Sequence, residues 1–231
     1  MSPAGVLRGL DKYLADIRGF PADAALAWRH ERWRGVWDTL APRSVHRLFR
    51  RGRLTVFAQP LAAVREVPPP PGVRLASLAE ADWPALEQLV TRRDLARFRL
   101  LVGRGHLCIL AWRGSRPIGY AWVALRMEPE VSLCALPLPA DGAYLWDLYV
   151  VPAERSSGVG SALAAARLDA ARQRGFREGW RAIERSNRAS LRTLAKSGTT
   201  NRVVGEVRYL KLLSRMHTRF VPAADGPRGR S

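Results

Sequence analysis

Residues 155–161 have the composition of an anion-binding loop. They read Arg155, Ser156, Ser157, Gly158, Val159, Gly160 and Ser161. A loop that opens a helix presents backbone N–H groups without acceptors, and the helix dipole adds about half a positive charge there. A diphosphate is a natural ligand for such a loop. The segment lacks the lysine of a P-loop and the third glycine of a dinucleotide-binding loop, so neither of these nucleotide sites is predicted.

The elements on either side would position this loop. Residues 144–151 are aromatic or β-branched for the most part, which predicts a buried strand that Pro152 ends. After the loop, apolar residues recur at helical spacing, and Gly175 supplies a stop signal, so a helix is predicted to about residue 174. These apolar residues are Val159, Leu163, Ala166 and Ala170.

The rest of the second half alternates between strand and helix patterns. Strands are predicted at 73–78, 106–112, 117–125, 178–184 and 203–213. Helices are predicted at 80–91, 94–102 and 189–196, the last capped by Ser186 or Asn187. The connection over 127–143 contains three prolines, and its length is typical of a functional loop. This order predicts a mixed α/β domain.

Four consecutive prolines at 68–71 mark a domain boundary, because proline favours stiff extended chain and cannot enter a helix interior. We expect a basic extension at 1–65, a linker at 66–72, the main domain at 73–216 and a disordered tail at 217–231. The extension is predicted to contain helices at 6–17 and 24–40 and a short strand at 54–57. A basic amphipathic segment at 43–51 could lie on an anionic membrane or glycan surface, but such segments are more often the solvated side of a helix packed on its own domain.

Composition limits the class of protein. The 231 residues contain no run of about 18 apolar residues and no signal-peptide hydrophobic region at the N-terminus, so a cytoplasmic protein is predicted. The net charge is +18, but arginine supplies 35 of the 38 basic residues and lysine three, a bias that nucleotide composition can produce. We therefore expect no dedicated nucleic-acid site, and at most weak association with anionic surfaces. The histidines and cysteines lack metal-ligand spacing, so no metal site is predicted.

Two blocks of the sequence resemble the GNAT (N-acetyltransferase) superfamily. The first is the run from Leu148 to Pro152 followed by the loop at 155–160, and the second is Asn187 with Gly198 at the far end of the next helix. The resemblance implies a mixed, mostly antiparallel central sheet flanked by helices. It also implies an acyl-CoA-dependent N-acyltransferase that moves acetyl from acetyl-CoA directly to an amine. The acceptor stays open among small amines, amino sugars, peptide N-termini and protein lysines.

The resemblance also assigns roles to residues. Backbone groups of Leu148, Tyr149 and Val150 would hold the pantetheine arm, and the amides from Arg155 to Ser161 would hold the pyrophosphate. Asn187 would contact the cofactor near its thiol end. Leu148 N–H is the candidate donor to the thioester oxygen. The family's usual carboxylate position is Tyr144 here, and its usual tyrosine position is Leu194.

Proton transfer therefore needs another group. Asp147 is the first candidate for the base and Glu184 the second. Asp147 could equally be a structural hydrogen-bond acceptor, and Glu184 could form a surface ion pair. The altered positions also support a second hypothesis, a catalytically idle domain of the same fold that binds nucleic acid, an anionic surface or a partner protein. The intact glycine spacing favours the enzyme.

Overall fold

A computed structural model describes residues 49–62, 64–131, 136–195, 200–212 and 215–223. The chain divides into two compact units, residues 1–50 with 210–217 and residues 51–209 with 218–231. The helices predicted at 6–17 and 24–40 lie outside the described residues, as do most of the segment at 43–51 and Gly198. The candidate site belongs to the second unit.

Eight strands form one sheet in the order β2-β3-β4-β5-β6-β1-β7-β8. Pairing is antiparallel for β1 with β6 and along β2, β3, β4 and β5, whereas β5 and β6 are parallel. The mixed, mostly antiparallel sheet predicted above is therefore confirmed. The strands are β1 (Phe49–Pro60), β2 (Val73–Ser77), β3 (Leu107–Arg113), β4 (Arg116–Ala124), β5 (Gly142–Val150), β6 (Glu178–Glu184), β7 (Arg202–Leu212) and β8 (Arg215–Pro222).

Four α-helices lie within the described residues: α1 (Trp83–Leu86), α2 (Arg92–Gly103), α3 (Val159–Gln173) and α4 (Arg188–Ala195). The single helix predicted at 80–91 is wrong in extent. Pro84 lies in the first turn of α1, because its ring cannot continue a helix from residue 80, and a short 3-10 turn precedes it. Thr91 then begins α2 by accepting a hydrogen bond from the Asp94 N–H at 3.1 Å.

Asn187 caps α4. Its side-chain oxygen accepts a hydrogen bond from the Ser190 N–H at 3.0 Å, which satisfies one of the N–H groups that the first helical turn leaves without an acceptor. Of the two cap residues predicted, the structure therefore uses Asn187.

The core lies between α3 and one face of the sheet. Leu168 and Ala171 of α3 pack with Val123, Ala143 and Leu145 from the strands. Val159 and Leu163 are fully buried as predicted. Ala166 and Ala170 are half-buried instead, because the buried stripe turns toward Leu168 and Ala171.

Residues before the proline run and near the C-terminus also enter the sheet. Strand β1 pairs with β6 in a register that places Val56 opposite Ala182, so a segment predicted as a separate extension contributes a strand. Strand β8 covers residues 217–222 of the predicted tail. Its Phe220 ring packs where Gly205 has no side chain, since a Cβ at Gly205 would lie 2.5 Å from that ring.

An ion pair anchors the segment between β5 and α3. Glu154 is in a 3-10 turn at Pro152–Glu154, and the Arg113 guanidinium at the end of β3 donates to both of its carboxylate oxygens, at 2.9 and 2.7 Å. Arg116 lies 3.6 Å away. The hydrogen bonds from Arg113 hold the pKa of Glu154 below its usual value. The β3–β4 hairpin thus fixes the start of the loop at 155–158.

Substitution of Gly119 tests the close approach of β4 and β5. A Cβ at Gly119 would lie 2.6 Å from the Tyr149 carbonyl oxygen, a backbone atom that cannot move without disturbing the ladder. We expect Gly119→Ala to lower the free energy of unfolding by about 1–3 kcal/mol. Gly103→Ala is the matched control, because a Cβ there meets no atom within 4 Å. Urea unfolding of both variants measures the difference, and equal midpoints would contradict this packing.

Substitution of Glu154 tests the ion pair. Because folding lowers the pKa of Glu154, the ion pair stabilises the folded state fully above the unfolded-state pKa of about 4.3. This stabilisation is lost as pH falls through the folded-state pKa of Glu154. We expect Glu154→Gln to melt below the wild type at pH 7 and the gap to close below about pH 4. Glu87→Gln is the control, since the described residues give this exposed side chain no ion pair. A gap that persists unchanged at pH 3 would contradict the interpretation.

Candidate active site

Strands β5 and β6 separate after a short stretch of pairing. Their parallel register has three pairs, ending with Tyr144 opposite Trp180. Beyond this point, the β6-facing edge of β5 has no strand partner in the described residues. Its backbone groups are therefore available to an extended ligand, as the edge of a sheet is to an added strand. The Trp146 carbonyl on this stretch accepts a hydrogen bond from Arg167 at 3.3 Å, and the Val150 carbonyl accepts one from Arg155 at 3.1 Å.

A β-bulge interrupts β5 in the middle of this opening. Tyr120 pairs with Tyr149 and Trp122 with Trp146, so Asp147 and Leu148 together oppose a single residue of β4. Asp147 has a φ of 43°, in the left-handed region. A bulge leaves one residue out of the ladder and turns its backbone groups away from the partner strand. The residues predicted as base and oxyanion donor therefore lie at the bulge.

The loop at 155–158 contains a second left-handed residue beside its glycine. Ser156 has a φ of 65° and Gly158, the N-cap of α3, a φ of 96°. Among the described residues, Asp147 and Ser156 are the two non-glycine residues with positive φ, and strain of this kind concentrates at functional sites. Within the same part of the chain, the N–H groups of residues 156–160 have no acceptor. Successive N–H groups in such a conformation form an anion-binding concavity.

Both glycines of the loop leave space for an anion. A Cβ at Gly160 would come no closer than 3.8 Å to another residue, and one at Gly158 would lie 3.4 Å from Pro70. Ser157 Oγ donates to the Glu154 carbonyl at 2.6 Å, which holds the loop back toward its anchor. The unpaired N–H groups and the start of α3 together fit the diphosphate of a CoA thioester.

Helix α2 packs on the face of the sheet opposite α3, and we call the region between α2 and the bulge of β5 the cleft. The Arg97 guanidinium lies 4.5 Å from the Trp146 ring centroid and donates to the Glu130 carbonyl at 2.8 Å. The Phe98 ring is 5.2 Å from Tyr120 in an edge-to-face contact. These contacts give the cleft an aromatic floor, with the end of the long connection held above it by Arg97.

Asp147 lies in this cleft beside Tyr120. The Tyr120 hydroxyl donates to the Asp147 carboxylate at 3.4 Å. The Asp147 side chain reaches water, yet the surrounding protein removes much of its hydration, and this desolvation raises its pKa to about 6. The positive charge of Arg97 opposes the shift. Burial also raises the pKa of Tyr120 well above its usual value, so its hydroxyl stays protonated. At neutral pH Asp147 is therefore mostly a carboxylate that can accept a proton.

The other predicted residues divide between the opening and its surroundings. Leu148, Tyr149 and Val150 lie on the part of β5 that does not pair with β6, and the Arg155 guanidinium is 5.9 Å from the Tyr149 ring centroid. Val159, Gly160 and Ser161 begin α3. Tyr144 is buried where β5 and β6 still pair.

The remaining candidates have structural partners. Asn187 is exposed and caps α4, as described above. Glu184 accepts a hydrogen bond from the Tyr209 hydroxyl at 3.3 Å at the end of β6. Leu194, at the family's usual tyrosine position, is buried.

Three residues near the opening were missed by the sequence analysis. Tyr120 becomes visible as a partner of Asp147 only through the register of β4 and β5. Arg167 had a signal, since it breaks the apolar stripe of α3 one turn after Leu163. Arg181 is in a short strand, and the apolar periodicity of that strand does not show which of its faces is buried. In the described ranges, no helix has the length and apolar character to cross a membrane, and no three potential metal-ligand side chains come together.

Comparisons with known proteins agree with this geometry. The model of the acetyltransferase (GNAT) family matches residues 73–198. A Drosophila protein of known structure aligns with a TM-score of 0.54 at 15% identity, over 77% of this chain and 57% of that one. A GCN5-related glucosamine N-acetyltransferase region of a fungal multi-domain β-N-acetylglucosaminidase aligns with a TM-score of 0.51 at 14% identity, over 77% and 22%.

A third structure, an aminoglycoside N-acetyltransferase in complex with CoA, aligns with a TM-score of 0.43 at 21% identity, over 54% of this chain and 90% of that one. No curated protein sequence matches the chain significantly. The chain thus spans just over half of the Drosophila protein and about a fifth of the fungal one, and these likenesses concern the fold. The family model covers more than half of the chain and includes the β5–loop–α3 unit, so this protein belongs to the acetyltransferase (GNAT) family.

Proposed function

We propose that this protein is an acyl-CoA-dependent N-acyltransferase that transfers an acyl group, with acetyl as the simplest case, from its CoA thioester to an amine. The observation that carries the proposal is the set of N–H groups without described acceptors at residues 156–160, next to the part of β5 that does not pair with β6. A domain that had lost CoA binding would have no use for a strained residue such as Ser156 in this loop.

The donor would lie along β5 and end at the start of α3. Backbone groups of Leu148, Tyr149 and Val150 would form hydrogen bonds with the amides of the pantetheine arm. The arm would thus pair with β5 as an added strand would. Of the predicted range 155–161, the N–H groups of residues 156–160 would bind the diphosphate, because those of Arg155 and Ser161 already donate to the Pro152 and Gly158 carbonyls. The α3 dipole favours the negative charge of the diphosphate. We assign Asn187 to contact with the cofactor near its thiol end. Its side-chain oxygen already caps α4, so this oxygen is not the contacting group.

The chemistry assigned to the bulge is direct acyl transfer. A bond forms between the amine nitrogen and the acyl carbon while the carbon–sulfur bond breaks, and the sulfur leaves with the electron pair and takes up a proton. The Leu148 N–H donates to the carbonyl oxygen as negative charge develops on it. Asp147, directly or through one water, takes the proton that the amine loses.

Asp147 suits the role of base better than the alternatives. Its pKa of about 6 leaves it ionised at neutral pH but more basic than an ordinary aspartate. Tyr144 is buried in the paired part of β5, and Glu184 is held by Tyr209 at the end of the neighbouring strand. The Tyr120 hydroxyl beside Asp147 restricts the orientation of the carboxylate.

Charge reversal in the loop tests donor binding. We expect Gly158→Asp with Gly160→Asp to abolish acetyl-CoA binding in calorimetry, because two carboxylates would occupy the anion site. Gly160→Asp alone should weaken binding more than tenfold without backbone strain, since the nearest atom to its Cβ is 3.8 Å away. Gly103→Asp with Ser115→Asp adds the same charge at exposed positions and should bind normally. Unchanged affinity in a folded double glycine variant would refute the assignment of the loop.

The pH profile of Asp147→Asn tests the base. Since the Asp147 carboxylate must be ionised to act, wild-type kcat/KM should fall at acid pH with an apparent pKa near 6. This decline adds to the one that protonation of the amine substrate causes. In Asp147→Asn this inflection should disappear and the rate should drop about 10² to 10⁴-fold, with acetyl-CoA affinity nearly unchanged. Wild-type turnover in the folded variant would exclude Asp147 as the base, and a collapsed melting temperature would identify a structural role.

A further inference from the structure

Two arginines are buried close together at the opening between β5 and β6. Arg167 extends from α3 and is 6% exposed, and Arg181 extends from β6 and is 3% exposed. Arginine is rarely buried to this degree unless an anion accompanies it. Loss of hydration, followed by the charge on Arg181, lowers the pKa of Arg167 to about 9, and loss of hydration lowers the pKa of Arg181 to about 10, so both side chains are charged at neutral pH.

Neither arginine has a carboxylate within ion-pair distance in the described residues, and the charge of Asp147 acts on Arg167 only at longer range. Arg181 donates to the Gln59 side-chain oxygen, and Arg167 donates to the Trp146 carbonyl at 3.3 Å. The Nε atoms of both side chains are buried without an acceptor. An unpaired buried charge is strongly destabilising, and removing its partner from a buried pair typically costs several kcal/mol. Two such charges in one place indicate that a bound anion completes the site.

The position of Arg167 and Arg181 links them to the acyl donor rather than to the amine acceptor. Arg181 lines a pocket together with Ser161 and Ala165 of α3 and Thr193 of α4, so the pocket reaches the predicted diphosphate loop. Arg167 donates to the carbonyl of Trp146, the residue next to Asp147. The cleft with Asp147, Tyr120 and Arg97 lies toward α2 on the opposite face. Because Arg167 donates to the strand that would carry the thioester, an anion held by the two arginines would lie at the acyl end of the donor.

We propose that the acyl group carried to this enzyme ends in a carboxylate, as in the malonyl, succinyl and glutaryl thioesters of CoA, and that Arg167 and Arg181 bind that carboxylate. This inference rests on the proposed acyl-CoA function and narrows it to a dicarboxylic donor. The transfer step is unchanged, since the distal carboxylate takes no part in the bonds that form and break. Arg167 and Arg181 are specificity-determining residues under this assignment.

Binding to the full chain tests the proposal without any variant. Succinyl-CoA and butyryl-CoA have acyl groups with the same number of carbon atoms and differ in the terminal carboxylate. We expect calorimetry to show succinyl-CoA, or its malonyl or glutaryl counterpart, binding about ten- to a hundred-fold more tightly than butyryl-CoA. If all three dicarboxylic donors bind no better than butyryl-CoA while acetyl-CoA binds, this inference is overturned and the proposed function stands. If no acyl-CoA binds, both are wrong.

Variants then assign the preference to the two arginines. Arg167→Met and Arg181→Met should each remove most of the discrimination while CoA and butyryl-CoA bind as before. Arg174→Met, at an exposed position just after α3, is the matched control and should retain the full preference. An equal loss of affinity for CoA, butyryl-CoA and succinyl-CoA would mean that the arginines bind the CoA moiety, and this would overturn the proposal. Should either methionine variant fail to fold, the wild-type comparison of donors still decides.

Discussion

The short pairing between β5 and β6 is the constraint on which the candidate site depends. Parallel strands normally continue side by side, but these two pair over three residues and then diverge. Each strand keeps its other neighbour, β4 on one side and β1 on the other, so the sheet stays intact around the opening. The divergence exposes a strand edge inside the protein, where an extended ligand can bind without competition from another chain.

Backbone strain is concentrated where this edge meets the rest of the site. Asp147 at the bulge and Ser156 in the loop both adopt left-handed conformations that cost of order 1–3 kcal/mol each. Surrounding contacts offset that cost: β4 holds the bulge on both sides, and the Arg113–Glu154 pair holds the start of the loop. At both residues the backbone leaves regular strand or helix geometry, which would keep its groups within the ladder or the helix.

The two faces of the sheet differ in charge and in packing. Toward α2 lie a carboxylate of raised pKa, a tyrosine hydroxyl and stacked aromatic rings, a suitable setting for an uncharged amine that must lose a proton. Toward α3 lie two buried guanidinium groups and the positive end of the helix. This partition places the anion-binding guanidinium groups and the Asp147 carboxylate on different faces of the sheet, so the proposed donor and acceptor would meet at the bulge between them.

The family was recognised from the resemblance of two sequence motifs. The sequence by itself also determined the strand–loop–helix unit at 144–174 and the order of the strands and longer helices between residues 73 and 212. Each rests on local chemistry, namely glycine spacing, apolar periodicity and proline breaks. Tertiary structure decided what depends on distant segments coming together: the insertion of β1 beside β6, the bulge that places Tyr120 against Asp147, and the burial of Arg167 beside Arg181. Local patterns cannot specify these, because strand register and the depth of a charged side chain are set by the whole sheet and the helices packed on it.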